Sequence, residues 1–422
     1  MLNKSIFVID KQIFSNIFTL FKGSVLGTII MMCSQPIITR LYTPEELGFF
    51  ALIFSIVTMF SPVINGQYDL LIVSAKSEKE ADTFAVISVI VGLLLVTFIA
   101  LGLIVIQFSK FKVFEDVGWW ILSSCILLIV FGINNILVSY NNRHLRYKLI
   151  SKVNIIRNFG RSLFQILFGL VGFGNLGVLA GNFIGFLMGM KKQSDFLRGQ
   201  LHRFYKVKKN EVLKLMKNNY KQPVFSAPGV FFSSSANSLI ALFVGSLYGI
   251  EQLGYYSIAI LILNAPLSMF SSNIGKVFYR TATKEKNDRG QFKNSLNKFS
   301  IILILIAVPL FVILFFTIIP ITELVLGEGW GIVGLFVIFQ IPMFSARFIV
   351  MSLNTSFIIN GKQHIKLTLQ SLFFFFTILS GLLASILELD INSFLIITSF
   401  LVAGVYILMY VYIYIDSKRT VI

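Results

Sequence analysis

The sequence predicts an all-α membrane protein of about 12 transmembrane helices in two six-helix lobes, and three observations carry that reading. Of 422 residues, 56% are hydrophobic and only 13% are charged, about half the charged share of a soluble domain. The charges gather in short clusters between apolar runs long enough to cross a hydrocarbon core of about 30 Å as one helix. A ten-residue pattern that opens the second helix recurs at the matching place in the second half.

Reading apolar runs against their breaks gives twelve spans: 14–38, 47–73, 82–107, 117–141, 149–171, 175–195, 222–247, 252–277, 299–320, 331–358, 365–387 and 393–415. The first is too long for a signal-peptide core and lacks a small-residue cleavage pattern, so it is expected to stay as a helix. With the N-terminus inside, the inner segments together with the cytoplasmic ends of the spans hold 29 of the 36 Lys and Arg, the outer ones hold Arg40, Lys110 and Lys112, and four lie deeper within spans. That asymmetry predicts both termini at the cytoplasmic face. It also accounts for the net charge of +17 without nucleic acid, since no basic stretch lies in a soluble domain. Cys33 and Cys125 sit inside apolar spans and offer neither a disulfide framework nor a metal site. No cofactor is expected.

The repeat reads Leu41-Tyr42-Thr43-Pro44-Glu45-Glu46-Leu47-Gly48-Phe49-Phe50 and Leu247-Tyr248-Gly249-Ile250-Glu251-Gln252-Leu253-Gly254-Tyr255-Tyr256. Six helices separate the copies, an even number, so both share one orientation and the repeat is parallel. The expected organisation is an N-lobe over 1–195, a basic cytoplasmic linker over 196–220 and a C-lobe over 221–422.

Polar residues inside spans supply the candidate site. Asn154, Arg157, Asn158, Arg161 and Gln165 recur at helical spacing in span five; Gln340, Arg347 and Asn354 recur every seven residues in span ten; Asn65, Tyr68 and Asp69 share a face of span two. A full charge in lipid is costly, so such faces line protein or a watery cavity. Leaving aside charges at the span ends, four basic residues, Lys22, Arg157, Arg161 and Arg347, lie within spans against the single acid Asp69. Guanidinium groups grip phosphate oxygens in a fork, so the balance favours an anionic substrate. Each residue has a structural alternative. Lys22 and Arg157 can snorkel to the interface, Arg347 can brace a neighbouring helix, and Asp69 can pair with an arginine or couple an ion. The glycines of Gly169–Gly185 are read as close packing between spans five and six rather than a phosphate loop. The small and polar run Ser226–Ser238, with Ser233, Ser234, Ser235 and Asn237, fits a wet lumen, expected between spans one, two, seven and eight.

Several stretches resemble a known family. Pro36-Ile37-Ile38-Thr39-Arg40-Leu41-Tyr42-Thr43-Pro44-Glu45-Glu46-Leu47-Gly48 is similar to the first loop of Wzx-type polysaccharide-unit flippases of the multidrug/oligosaccharidyl-lipid/polysaccharide (MOP) exporter superfamily. Tyr68–Val73 with Ser77–Ala81, then Tyr220, Pro223, Gly254-Tyr255-Tyr256, Pro266, Val277-Phe278-Tyr279, Gly327–Trp330 and Arg347-Phe348 keep the family's order along nearly the whole chain. The resemblance implies two six-helix lobes around a central cavity that opens alternately to each side, a bacterial inner-membrane location and a polyprenyl-pyrophosphate (undecaprenyl-pyrophosphate) oligosaccharide as substrate, as for O-antigen or capsule, alongside other polysaccharide-assembly proteins. One departure is Leu261, where many relatives carry a basic residue, so no cationic contact is carried over there. Rival readings are a cation-coupled antiporter of the same superfamily, an O-chain polymerase or ligase, and a membrane scaffold. The histidines His144, His202 and His364 lie in connections without ligand-spaced partners, which argues against an enzyme.

Overall fold

The computed structural model describes residues 2–108, 116–197 and 202–418. Lys110 and Lys112, two of the three basic residues assigned to outer segments, lie outside the described residues. No strand occurs among the described residues. The principal helices are α1 (Leu2–Leu41), α2 (Pro44–Phe60), α3 (Tyr68–Ser74), α4 (Glu78–Gln107), α5 (Ser123–Arg143), α6 (Tyr147–Leu170), α7 (Gly174–Leu187), α8 (Lys209–Asn218), α9 (Ala227–Tyr248), α10 (Ile250–Pro266), α11 (Ser272–Arg289), α12 (Lys293–Leu326), α13 (Gly331–Leu353), α14 (Gln363–Ile386) and α15 (Ile391–Ser417).

Every one of the twelve expected spans is largely helical, and among the described residues eight helical stretches are long and apolar enough to cross a membrane by length and composition. The other four spans depart from a plain apolar rod for visible reasons. Span two is interrupted between α2 and α3; α6 carries Lys148, Lys152, Arg157 and Arg161; α7 has only 14 residues; and span eight divides into α10 and α11. This last break is a π-helical turn, Leu267–Ser271, directly after Pro266. A proline that removes one N–H and crowds the preceding turn explains it. A second π turn, Gln222–Ser226, contains Pro223 and leads into α9.

The chain divides into two compact units, one of Met1–Tyr42 and Phe49–Ser234, the other of Thr43–Gly48 and Ser235–Ile422. In the first unit α6 is the central rod. It runs parallel to α1, with Gly23 against Ser151, Gly27 against Asn158, the Ser34 hydroxyl 2.8 Å from that of Ser162, and the Tyr42 hydroxyl donating to the Gln165 carbonyl at 2.7 Å. It runs antiparallel to α7, whose Gly177, Gly181 and Gly185 stand four residues apart on one face, with Gly189 one further step on. A Cβ at Gly181 would lie 2.7 Å from the Gln165 nitrogen, and one at Gly185 would lie 2.6 Å from the Arg161 Cα. These glycines let the two backbones touch, where apolar helices associate by packing rather than by hydrophobic burial.

Between α2 and α3 the chain leaves the helix at Ser61-Pro62 and returns through left-handed Gly66 (φ 59°) and Gln67 (φ 63°). Proline disfavours helix at the residue before it, and freed backbone groups in an apolar bundle must be answered by neighbours. Asn135 donates to the Ser61 carbonyl at 3.0 Å, Ser234 to that of Met59 at 2.8 Å and Gln67 to that of Pro62. Asn65, inside the break, reaches the Ser88 carbonyl at 3.1 Å. α3 ends on Arg143, whose Nη1 donates to the carbonyls of Ala75 at 2.6 Å and Ile72 at 3.2 Å.

The segment after α7 is docked. Phe196, Phe204, Val212, Leu215 and Met216 pack on a buried cluster that includes Ile72, Phe84, Ile87, Leu137 and Tyr140. Arg203 grips the buried Asp82 through Nε at 2.7 Å and Nη2 at 2.6 Å, and Tyr140 donates to the same carboxylate at 2.8 Å. Lys79 bonds Glu211 and, by that bond first, holds its carboxyl below the usual carboxylate range.

In the second unit α13 packs against α12, α10 and α15. Gly334 sits on Ile319 of α12, Gln340 donates to the Leu395 carbonyl at 3.0 Å, and the Met343 N–H, next to Pro342, reaches the Ser399 hydroxyl at 3.1 Å. The two repeat copies meet inside this unit with reciprocal contacts. A Cβ at Gly48 would overlap the Ile250 carbonyl, and one at Gly254 would overlap the Pro44 carbonyl, so corresponding positions swap roles.

The glycine ladder is a testable element of this packing. Gly185→Leu is expected to destabilise the first unit by about 1–3 kcal/mol or more, the usual range for overpacking. A lower thermal midpoint of the purified protein checks it, with Gly404→Leu as the comparison, because a Cβ there meets nothing within 4 Å.

Candidate functional site

The two arginines of α6 lie one helical turn apart and have different surroundings. Arg157 is held by protein. Its Nη1 donates to Asn134 Oδ1 at 2.5 Å, its Nη2 to Gln193 Oε1 at 3.1 Å and its Nε to the Met188 carbonyl at 3.3 Å. It borders a cavity of about 170 Å³ whose polar wall also includes Ser24, Asn134, Asn154 and Gln193.

Arg161 has aromatic neighbours instead. Its guanidinium carbon lies 6.0 Å from the Phe54 ring centre and 5.9 Å from that of Phe186. These two rings stack at 5.8 Å with an interplanar angle of 11°, and Phe131 meets Phe186 edge-on at 4.8 Å. Cation–π attraction acts to about 6 Å, so the rings contribute without satisfying the guanidinium's five N–H donors. Arg161 Nε is buried and has no hydrogen-bond partner among the described residues. An unsatisfied buried donor costs free energy until an acceptor arrives.

The second unit repeats this environment at Arg347. The guanidinium carbon lies 5.4 Å from the Phe344 ring centre, Nη1 donates to Asn237 Oδ1 at 3.2 Å, and Nε is again buried without a partner among the described residues. Tyr256 and Tyr406 lie within reach of its charge. Asn237 is exposed, whereas Ser235 and Ser238 of the same run are buried.

The remaining expected site residues are placed elsewhere. Lys22 is exposed on α1 and is not part of the wall of the Arg157 cavity. Asp69 is buried in the first turn of α3 and forms no salt bridge among the described residues. The buried acid that does pair with an arginine is Asp82, through Arg203. The polar face of span five also divides by contact: Asn158 turns to Gly27 of α1, and Arg157 turns to α5 and the stretch after α7. In span ten Gln340 is fully buried against α15, a bracing position.

Sequence reading did not single out Asn134, Gln193, Asn237, Phe54 or Phe186 as partners of the arginines. The adjacent amides Asn134-Asn135 inside an apolar helix were an available signal, since a buried amide needs a partner. The phenylalanines gave none, because aromatic residues are spread through every span.

A family model described as polysaccharide biosynthesis protein matches residues 37–333. The chain belongs to the polysaccharide biosynthesis protein family. Sequence comparison with curated proteins finds no match. Among solved structures, this family member is similar to the lipid II flippase MurJ in an inward closed conformation, with TM-score 0.68 and 14% identity over 96% of this chain and 88% of that one. It is also similar to a MATE protein in complex with MaL6, with TM-score 0.58 and 13% identity over 96% and 97% of the two chains. The Vibrio cholerae MATE transporter VcmN gives TM-score 0.54 and 14% identity over 97% and 96%. At these identities the likeness establishes the fold alone, the one shared by MurJ and the MATE proteins.

The contrast between the two α6 arginines makes a prediction. Arg157→Ala strands the acceptors of Asn134 and Gln193, and hydrogen bonds to a charged group contribute about 1.5–3 kcal/mol each. Arg157→Ala is therefore expected to lower the thermal midpoint and the yield of monodisperse protein, while Arg161→Ala leaves both near the unsubstituted protein. Size-exclusion and thermal-shift measurements on the purified variants check the order.

Proposed function

We propose that this chain moves a polyprenyl-pyrophosphate-linked oligosaccharide from the cytoplasmic to the outer leaflet of a bacterial cytoplasmic membrane by alternating access, with both termini at the cytoplasmic face. The family supports a lipid-linked polysaccharide precursor as cargo, and the fold supports a flippase. The observation that carries the reading is Arg161, a guanidinium inside an apolar bundle with a buried donor that has no acceptor among the described residues. A pyrophosphate supplies such acceptors in fork geometry. Arg347 offers the same chemistry in the second unit. In this reading Arg161 and Arg347 grip the headgroup, Arg157 shapes the neighbouring polar wall, and Lys22 attracts the anion nearer the interface. The positive-inside count supports the orientation, and an oligosaccharide carried on polyprenyl pyrophosphate fits the O-antigen and capsule class.

The cation-coupled antiporter reading rests on buried carboxylates. Asp82 is neutralised by Arg203, and Asp416 accepts from Asn360 Nδ2 at 2.5 Å. Among the described residues Asp69 is the buried acid left for ion coupling, and in our proposal that ion drives the flippase rather than replaces its lipid cargo. We read the chain as a transporter rather than a polymerase or ligase.

The test is complementation of a host lacking its own flippase, with the amount of each variant in the membrane measured alongside. Arg161→Ala and Arg347→Ala, present at normal levels, are expected to lose transport by at least about tenfold, the equivalent of one charge-assisted hydrogen bond. Arg→Lys changes retain charge without the fork and are expected to lose part of it. Full activity of both alanine variants at normal levels would refute the cationic-site reading.

A further inference from the structure

Charge on the segment between the halves is only partly answered within the protein. Arg203 is neutralised by Asp82 and Glu78, and the carboxylate of Glu211 by Lys79. Glu211 is the sole acid between residues 196 and 250. Lys206, Lys208, Lys209, Lys214, Lys217 and Lys221 are all exposed, and none is in a salt bridge among the described residues. This cluster stands apart from the arginines of the candidate site and does not depend on which cargo they hold.

Its geometry is that of an interfacial helix. Val212, Leu215 and Met216 of α8 turn inward onto the buried cluster of the first unit. Lys209, Leu213 and Lys217 fall four residues apart on another stripe. Leu213 on that stripe is 54% exposed, and Tyr205 and Tyr220 on either side of α8 are 90% and 51% exposed. A purely water-facing helix has no use for an outward leucine between two outward tyrosines, whereas an aromatic ring with a polar tip suits the headgroup level. The apolar helical stretch Gln222–Tyr248 begins directly after Lys221 and five positions after Lys217, so the C-terminal end of this basic segment runs into the hydrocarbon edge.

We propose that this outward face of α8 and its flanks lies in the headgroup layer and binds anionic phospholipid. Lysines there gain attraction from an anionic leaflet, and that attraction falls away with salt. Through the Arg203–Asp82 and Lys79–Glu211 bonds, lipid held on this face is tied to the first turns of α4. An acidic protein docking on the same lysines is the competing occupant. It would leave Leu213 in water when the protein stands alone in a bilayer.

The test uses the full chain with Cys33→Ser and Cys125→Ser, an environment-sensitive dye on Leu213→Cys, and reconstitution into nanodiscs. One set holds phosphatidylcholine alone, and the other equal parts of phosphatidylcholine and phosphatidylglycerol. The expected result is blue-shifted emission and reduced quenching by iodide in the phosphatidylglycerol discs. That difference is expected to vanish in high salt and in the variant carrying Lys208→Gln, Lys209→Gln, Lys214→Gln and Lys217→Gln. Those four side chains are exposed, so size exclusion is expected to show the variant folded. Equal, water-like emission in both lipids would overturn the proposal and leave the face free for a protein partner. A phosphatidylglycerol effect undiminished in the quadruple variant would overturn the role of these lysines.

Discussion

A guanidinium group buried among apolar helices must be answered, by protein or by something the protein carries. The first unit is arranged around that requirement. Arg157 is answered by Asn134, Gln193 and the Met188 carbonyl, and it joins α5, α6 and the stretch after α7. Arg161, one turn away, is walled by Phe54 and Phe186 and keeps a donor in reserve. Its position depends on the glycine ladder of α7, because Gly185 lies directly on the Arg161 backbone. The packing that closes the bundle and the placing of the unsatisfied charge are one arrangement.

The same rule of satisfaction explains the irregular backbone. A helix interrupted among apolar neighbours survives only where side chains reach the freed carbonyls, and Asn135, Ser234 and Gln67 do so around Pro62. Arg143 does so at the end of α3. The amides and hydroxyls scattered through the spans are therefore partly structural, and Gln340 against α15 is one of these.

Helix content and the repeat were legible in the sequence because hydropathy and spacing are local properties. The interruption of span two was not read, although Ser61-Pro62 and Gly66 were visible, because a twenty-residue apolar average conceals a seven-residue break. The arginines stood out because charge inside an apolar run is rare. Which of them is satisfied could not be read, since the partners Asn134, Gln193 and Asn237 come from other helices and only folding brings them near. Asp82 went unnoticed at the edge of span three for a similar reason, its partner Arg203 lying far along the chain.

The division between a braced Arg157 and a receptive Arg161 is the core of this account, and binding tests it most directly. Equilibrium binding of undecaprenyl pyrophosphate and of uncharged undecaprenol to the purified protein separates headgroup recognition from lipid affinity. The account predicts that Arg161→Ala weakens binding of the pyrophosphate lipid by about tenfold or more, one charged hydrogen bond's worth, and leaves undecaprenol binding unchanged. Equal affinity of the Arg161→Ala and unsubstituted proteins for the pyrophosphate lipid would contradict it.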